Sequence, residues 1–203
     1  FHVPNFLSFA GELIRYDYAN PPFRKNARAK IIHGDWQIIL DAVAEYDVFR
    51  QWDLERKAVS GLTHVGEITK VDGRNYTVAD VMVLLDRLAT WFSFCRGNWT
   101  APILAVGLSD DGRELWKDWR SHYVRPSVPV TSWATTSSAD FLETGFNRFS
   151  ALQLNPAWKD AARLAIHWYV ECVRQASGVE AAIILAQTGL ELLAWTYLVE
   201  DLK

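Results

Sequence analysis

A stripe of polar residues near the end of the chain has the types and spacing that an RNA-cleaving site needs. Arg163, His167 and Glu171 follow one another at intervals of four, with Arg174 three residues further on, so they share one face of a predicted helix. His167 could act as a base assisted by Glu171, while Arg163 holds the scissile phosphate. The same spacing is typical of an ordinary salt-bridged helix face, and for this stripe alone we favour that interpretation.

A second predicted helix carries a carboxylate in an apolar setting. Glu191 lies in the segment TGLELLAW, on the same face as Glu180 and Gln187. Its carboxylate either points to solvent beside Gln187 or is buried against a partner, because buried carboxylates are rarely unpaired. The candidate catalytic residues are therefore Arg163, His167, Glu171 and Glu191.

A basic and aromatic segment after a predicted hairpin turn is the candidate nucleic-acid site. Trp116 and Trp119 alternate with Lys117 and Arg120. Sites for single-stranded nucleic acid combine stacking aromatic rings with cations in this manner. The chain has ten tryptophans in all. Packing of these rings in the interior is the alternative, and it is the one we favour.

The composition is that of an ordered globular protein: 50% of the 203 residues are apolar and 22% are charged. The net charge of −3 gives no global attraction to nucleic acid. The histidines and the two cysteines lack metal-ligand spacing, and the glycines lack phosphate-loop spacing, so we predict no metal and no cofactor. Cys95 and Cys172 indicate a reducing compartment. The longest uncharged apolar run in the last predicted helix, 181–186, is too short to span a bilayer, so we predict a cytoplasmic protein without a membrane partner.

The pattern of elements predicts an α+β fold with two modules, a β-rich one over residues 1–130 and a helical one over 131–203. The first has a β-prone segment at 36–43, an ambiguous, possibly helical segment after it, and a hairpin turn at Asp72-Gly73. A helix over 78–95 follows, capped by Thr77 and Asp80 and stopped by Gly97. The remaining predicted elements are a hairpin turning at 110–112, a helix over 138–150, a helix opened by Asn155-Pro156, and a last helix capped at Ser177-Glu180.

The two terminal helices resemble the HEPN superfamily, especially its ApeA-like branch. The resemblance is carried by HWYVECVRQ and QTGLELLAW, in which Trp168-Tyr169 and Leu190-Glu191 match the branch. It implies a helical bundle, usually dimeric and often an RNA-cutting effector in phage defence or toxin systems. The family's Arg-x(4–6)-His signature is missing from these helices. Since the sequence opens on Phe1 and its helical pattern still runs at Lys203, we expect a longer protein, in which the signature, if it exists, lies after Lys203.

Two functional hypotheses remain open. In the first, the chain is part of a metal-independent ribonuclease whose β-rich module senses or scaffolds. RNA and a phage or cellular trigger protein are then its partners, and the helical module forms a homo-oligomer. In the second, the chain is a non-enzymatic binding module, in which the Trp-rich β-part recognises a ligand and the helices mediate oligomerisation. A purely structural adaptor is a third possibility.

Overall fold

A computed structural model describes residues 1–19, 21–134, 138–174 and 178–202 of the chain. The predicted α+β class is confirmed: an antiparallel five-stranded sheet is combined with five helices, the last two forming a pair. The strands of this sheet run in the order β1-β5-β4-β3-β2. Their bounds are β1 His2–Pro4, β2 Glu12–Tyr16, β3 Phe23–His33, β4 Trp36–Ala42 and β5 Leu62–Lys70.

One face of the sheet is buried, because its two central strands alternate apolar and polar residues. In β3 every second residue from Ala27 to Ile31 is buried, and in β4 the same holds from Ile38 to Ala42. Ile31 faces Ile38 across the strand pair. The ambiguous segment after β4 forms helix α1 (Val48–Lys57), which closes one end of this face through Leu54.

Helix α2 (Val78–Arg96) forms the centre of the main hydrophobic core, as its sequence signals predict. Thr77 and Asp80 form the reciprocal capping box, and Gly97 ends the helix with a φ of +68°. Leu88 and Phe92 are fully buried in the core beneath the sheet. The capping residues were sufficient to predict both ends of α2, because each acts within a few residues of the helix end.

Two sequence-based predictions were wrong: the hairpin at Asp72-Gly73 and the helix start at Pro156. The Asp72-Gly73 turn leads from β5 into α2 instead of joining two strands, although Gly73 does take a positive φ of +74°. The predicted helix over 138–150 is α3 (Asp140–Leu154), and the next helix, α4 (Lys159–Arg174), begins after Pro156. Pro156 therefore lies in a turn, where Asn155 Oδ1 accepts a hydrogen bond from the Ala157 N–H at 2.9 Å. The predicted cap at Ser177 lies outside the described residues.

The second hairpin is present at its predicted place, as β6 (Val106–Leu108) paired with β7 (Glu114–Lys117). The two-module boundary at residue 130 stays a prediction. The core extends across that position, because Leu142 and Phe146 of α3 and Ile166 and Val170 of α4 belong to the same hydrophobic cluster as the sheet. The last helix, α5 (Val179–Trp195), packs mainly on α4 and is continued by a wider π-helical turn over Thr196–Asp201.

Candidate functional site

Helix α4 is strongly amphipathic, and its buried side fixes where its polar stripe lies. Ala162, Ile166 and Val170 are buried at four-residue intervals and attach α4 to the core. Arg163 and His167 are consequently exposed. The shared helix face that the spacing predicted is therefore present.

The predicted catalytic stripe does not act as one hydrogen-bonded unit. Arg163 Nε lies 3.9 Å from Asp160 Oδ1, and both side chains are largely exposed. The His167 ring packs against Trp99, with 5.4 Å between ring centroids. Within the described part of the chain, no hydrogen bond joins His167 to Glu171. Arg163 and His167 thus lie on the solvated part of this helix face, whereas the side chains of Glu171 and Arg174 are 24% and 11% exposed.

Glu171 is held by partners that the sequence reasoning missed. Its Oε1 accepts a hydrogen bond from the indole N–H of Trp99, and its Oε2 lies 3.5 Å from Arg174 Nη1. Trp99 follows the end of α2 and is 72 residues away in sequence. Nothing in the local pattern marks that contact. Glu171 therefore links α4 to the end of α2, and its contacts are with Trp99 and Arg174 instead of His167.

Glu191 adopts the first of the two predicted environments. It is exposed on α5, and its Oε1 accepts a hydrogen bond from Gln187 Nε2 at 2.8 Å. Glu191 and the α4 stripe are thus on different helices with different partners. The four candidate catalytic residues are not joined by hydrogen bonds into a single cluster.

The candidate nucleic-acid residues are divided between packing and surface. Trp116 packs against the core and lies over Gly107 of the facing strand, where no Cβ would fit. Lys117 forms an ion pair with Glu114, and Arg120 Nε lies 3.1 Å from Asp118 Oδ1. Packing is therefore the better interpretation for Trp116.

Trp119 differs from Trp116, because it is 73% exposed. Nη2 of the neighbouring Arg120 also lies 3.3 Å from Asp86 Oδ1. The Arg120 guanidinium is therefore paired with two carboxylates, Asp86 and Asp118. One exposed ring beside neutralised cations is a weak site for a nucleic-acid backbone. Among the described residues, no group of three or more His, Cys, Asp or Glu side chains is placed to hold a metal ion.

The most unusual surface of the molecule is the outer side of α5, which we call the α5 face. Only a narrow line of small residues on this helix, Ala182 and Gly189, is buried, and it lies toward α4. The other residues of this helix are half-buried or exposed, and the exposed ones are mainly apolar apart from Glu180, Gln187 and Glu191. Its exposed large side chains, continued into the turn that follows, are Val179, Ile183, Ile184, Leu190, Trp195, Tyr197, Leu198, Val199 and Leu202.

The α5 face is also long. The stretch Val179–Glu200 has 22 residues and a mean hydropathy of 1.5, which by length and composition would allow it to cross a membrane. In its most apolar window only 11% of the residues are buried within the molecule. Such a stretch is weak evidence for membrane insertion, and here Glu191 interrupts it. The absence of a membrane partner was predicted from the short apolar run 181–186 alone. It stays a prediction.

Comparison with known proteins identifies relatives of both parts of the chain. Residues 1–130 match the YopA central domain, and residues 155–203 match the YopA C-terminal domain. The SPbeta prophage-derived uncharacterized protein YopA of Bacillus subtilis (strain 168) is 28% identical over 206 residues. The match covers 100% of this chain and 45% of that relative, so the chain spans less than half of the relative's length. No solved structure matches the chain. Because the central-domain match alone covers residues 1–130 of 203, the chain belongs to the YopA family.

Proposed function

We propose that the chain is a non-enzymatic assembly module. In this proposal the sheet and α2 form a rigid scaffold, α4 attaches the helical pair to it, and α5 binds another protein surface. The observation that supports the proposal is the α5 face, with its nine exposed large apolar side chains. Monomeric proteins rarely leave a contiguous apolar surface of this kind open to water.

The burial of such a face can be compared with the free-energy cost of association. Burying a fully exposed Leu or Ile side chain contributes about 1.5–3 kcal/mol, so side chains exposed by about half contribute roughly 1 kcal/mol each. Nine of them are exposed on the α5 face, which gives a total on the order of 10 kcal/mol. Association costs about 4–15 kcal/mol in lost freedom of motion. The apolar face can therefore offset much of the cost of forming a specific complex.

Assembly explains the surface better than RNA cleavage does. A metal-free ribonuclease needs a base and phosphate-binding cations around one reacting group. Here Glu171 is occupied by Trp99 and Arg174, and Glu191 is on another helix beside Gln187. The ribonuclease hypothesis stays a prediction. Cleavage of RNA by the purified chain, lost on His167→Ala with the fold intact, would support it against a purely non-enzymatic role.

We also propose a cytoplasmic location. Cys95 is buried and Cys172 is partly buried, and neither forms a disulfide. Burial raises the pKa of the Cys95 thiol well above its ordinary value, so this thiol is unreactive as well as unpaired. Unpaired cysteines of this kind are typical of proteins in reducing compartments.

The test of assembly compares two leucines of nearly equal exposure on different surfaces. Leu190 of the α5 face is 68% exposed, and Leu115 of β7 is 66% exposed. We expect sedimentation and light scattering to show association of the wild type that Leu190→Gln weakens and Leu115→Gln leaves unchanged. A wild type that stays monomeric at every concentration, or equal effects of the two substitutions, would contradict the proposal.

A further inference from the structure

We infer that the α5 face is covered by α5 of a second copy of the chain, packed antiparallel about a two-fold axis at the level of Gly189. This inference rests on the proposed assembly function, because it names the partner for the same face. In such an arrangement, residues equally far before and after Gly189 meet across the interface. Each contact is then made twice, as two-fold symmetry requires.

The polar pair in the middle of the α5 face carries the inference. Gln187 precedes Gly189 by two residues and Glu191 follows it by two, and both are exposed. Within one chain Gln187 Nε2 already donates to Glu191 Oε1 at 2.8 Å. An amide nitrogen has two hydrogens and a carboxylate has several acceptor positions, so each group can take a second partner. Antiparallel pairing places Gln187 of one copy beside Glu191 of the other, twice.

The alternative orientation is less favourable for the same residues. Parallel pairing of two copies in register would bring Glu191 next to Glu191, and like charges at a desolvated interface repel. A polar residue within an apolar helix interface commonly selects register and orientation at some cost in stability. Gln187 and Glu191 would have that role here.

One apolar pair beside these residues also matches a large side chain to a small one. Ile184 and Ala194 lie five residues before and after Gly189, so the antiparallel register places a large side chain opposite a small one. Ile183 and Trp195, six residues before and after, are both exposed and would meet at the ends of the same contact. Large side chains against small ones allow helices to pack closely.

The extent of the α5 face matches what a dimer needs. A standard interface takes about 800 Å² from each partner, of which roughly 60% is apolar, or about 480 Å². The transfer energies of large apolar side chains correspond to roughly 60–120 Å² each. Eight of these side chains, all but Leu202, lie within ten residues of Gly189 and so opposite the partner helix; each exposed by about half, they supply on the order of 250–550 Å².

A lipid bilayer is a less suitable partner for the α5 face than a second copy of the chain. Inserting Val179–Glu200 into lipid would place Glu191 near the middle of the hydrocarbon layer. Ionised carboxylates are costly at that depth. Helices that lie on a membrane surface usually carry Lys or Arg on their polar side, whereas the charged residues of Val179–Glu200 are all acidic.

Cysteine cross-linking tests the register. In a Cys172→Ala background, Ile184→Cys and Ala194→Cys chains are prepared separately, checked for the wild-type melting temperature, then mixed and mildly oxidised. We expect disulfide-linked dimers that contain one chain of each kind, and few from either chain alone. Self-linking by each chain alone would indicate parallel pairing and overturn the inference, as would the absence of mixed dimers.

An exchange of the polar pair tests its role. Gln187→Glu would oppose Glu to Glu across the interface, and we expect a dimer about a hundredfold weaker or more, because two-fold symmetry removes this hydrogen bond to a charged group twice. The double variant Gln187→Glu/Glu191→Gln restores a Glu–Gln pair within each helix and between helices, so it should recover wild-type affinity. A double variant as weak as the single one would overturn the inference.

Different results would contradict the assembly function and the antiparallel pairing with a second copy. Association that depends on Leu190 but is insensitive to the polar exchange would remove the antiparallel second copy and keep the assembly function. Binding of the wild type to phosphatidylcholine–phosphatidylglycerol vesicles in place of self-association would overturn the second-copy inference in favour of lipid. No association of any kind would remove both.

Discussion

His64 is kept neutral by the aromatic rings that surround it. The ring stacks on Phe9 at 5.1 Å between centroids, and the rings of Phe6 and Tyr46 meet it edge-on, each at 5.4 Å. Its Nδ1 is 2.9 Å from Thr63 Oγ1. Burial, with a smaller contribution from the charge of Lys25, lowers the pKa of His64 to about 3.

The buried histidine predicts acid sensitivity of the fold. The unfolded chain binds a proton at His64 below its ordinary pKa of about 6.5, while the folded chain does not until about 3. Protons therefore favour unfolding between these values, and the free energy of unfolding should fall by up to about 1.4 kcal/mol per pH unit as pH decreases. Urea unfolding at pH 7, 5.5 and 4.5 measures this slope. His64→Gln should give a shallower one; an unchanged slope would assign the acid sensitivity to other groups.

Arg96 predicts a large effect of removing one buried charge. Its side chain is 2% exposed, and its Nη2 lies 2.6 Å from Glu55 Oε1, whose side chain is 12% exposed. Its Nε also donates to the Asn5 carbonyl oxygen at 3.0 Å. Arg96→Met leaves Glu55 without its cationic partner and the Asn5 carbonyl oxygen without this donor, so we expect a loss of about 3–5 kcal/mol in the free energy of unfolding.

The solvent-exposed pair between Lys57 and Asp53 is the control for Arg96. Lys57 Nζ lies 2.7 Å from Asp53 Oδ2, nearly the separation of the Arg96–Glu55 pair, but the Lys57 side chain is 52% exposed. Lys57→Met should therefore cost less than about 1 kcal/mol in chemical denaturation. Equal losses for the two substitutions would show that burial of the Arg96 pair is not what stabilises it.

At the scale of elements, two helical glycines are predicted to respond in opposite directions to alanine. A Cβ on Gly145 of α3 would lie 2.6 Å from Trp91 Cζ2, inside van der Waals contact with a buried ring. A Cβ on Gly189 of α5 would meet its nearest neighbour, Trp168 Cβ, at 3.9 Å, which is an ordinary contact. Alanine gains up to about 1 kcal/mol in helix propensity at either position.

Overpacking should exceed that gain only in α3. We expect Gly145→Ala to lower the free energy of unfolding by about 1–3 kcal/mol, and Gly189→Ala to leave it unchanged or raise it by up to about 1 kcal/mol. Thermal unfolding of both variants under one buffer condition tests the contrast. A stabilised Gly145→Ala would mean that Trp91 can shift to make room.

Elements with local signals were predictable from the sequence, and those set by distant contacts were not. Helix α2 was recognised because its cap and its stop lie at its own ends. The turn that joins β3 to β4 at Gly34, with a φ of +58°, was not predicted. A Gly-Asp dipeptide between two β-prone segments is nevertheless typical of a hairpin turn. The bond between Trp99 and Glu171 spans 72 residues, so only the folded chain reveals it.

At the scale of the whole molecule, α5 differs from the other long helices in how little of it is buried. The sheet, α2, α3 and α4 share one hydrophobic cluster, whereas α5 buries little more than Ala182 and Gly189. An element with few buried contacts opens locally at low free energy. The stability of α5 should therefore depend on its partner, while the rest of the fold should not.

This dependence predicts that hydrogen exchange in α5 changes with protein concentration. Below the dissociation constant of the dimer, amides over 183–195 should exchange quickly, and above it they should be protected in proportion to the dimer fraction. Amides of β3 and β4 lie in the shared core and should exchange at the same rate at both concentrations. Leu190→Gln is the control, since it should keep α5 fast at concentrations that protect the wild type. Uniform protection of α5 at every dilution would mean that α4 alone stabilises it, and that its apolar face needs no partner to remain folded.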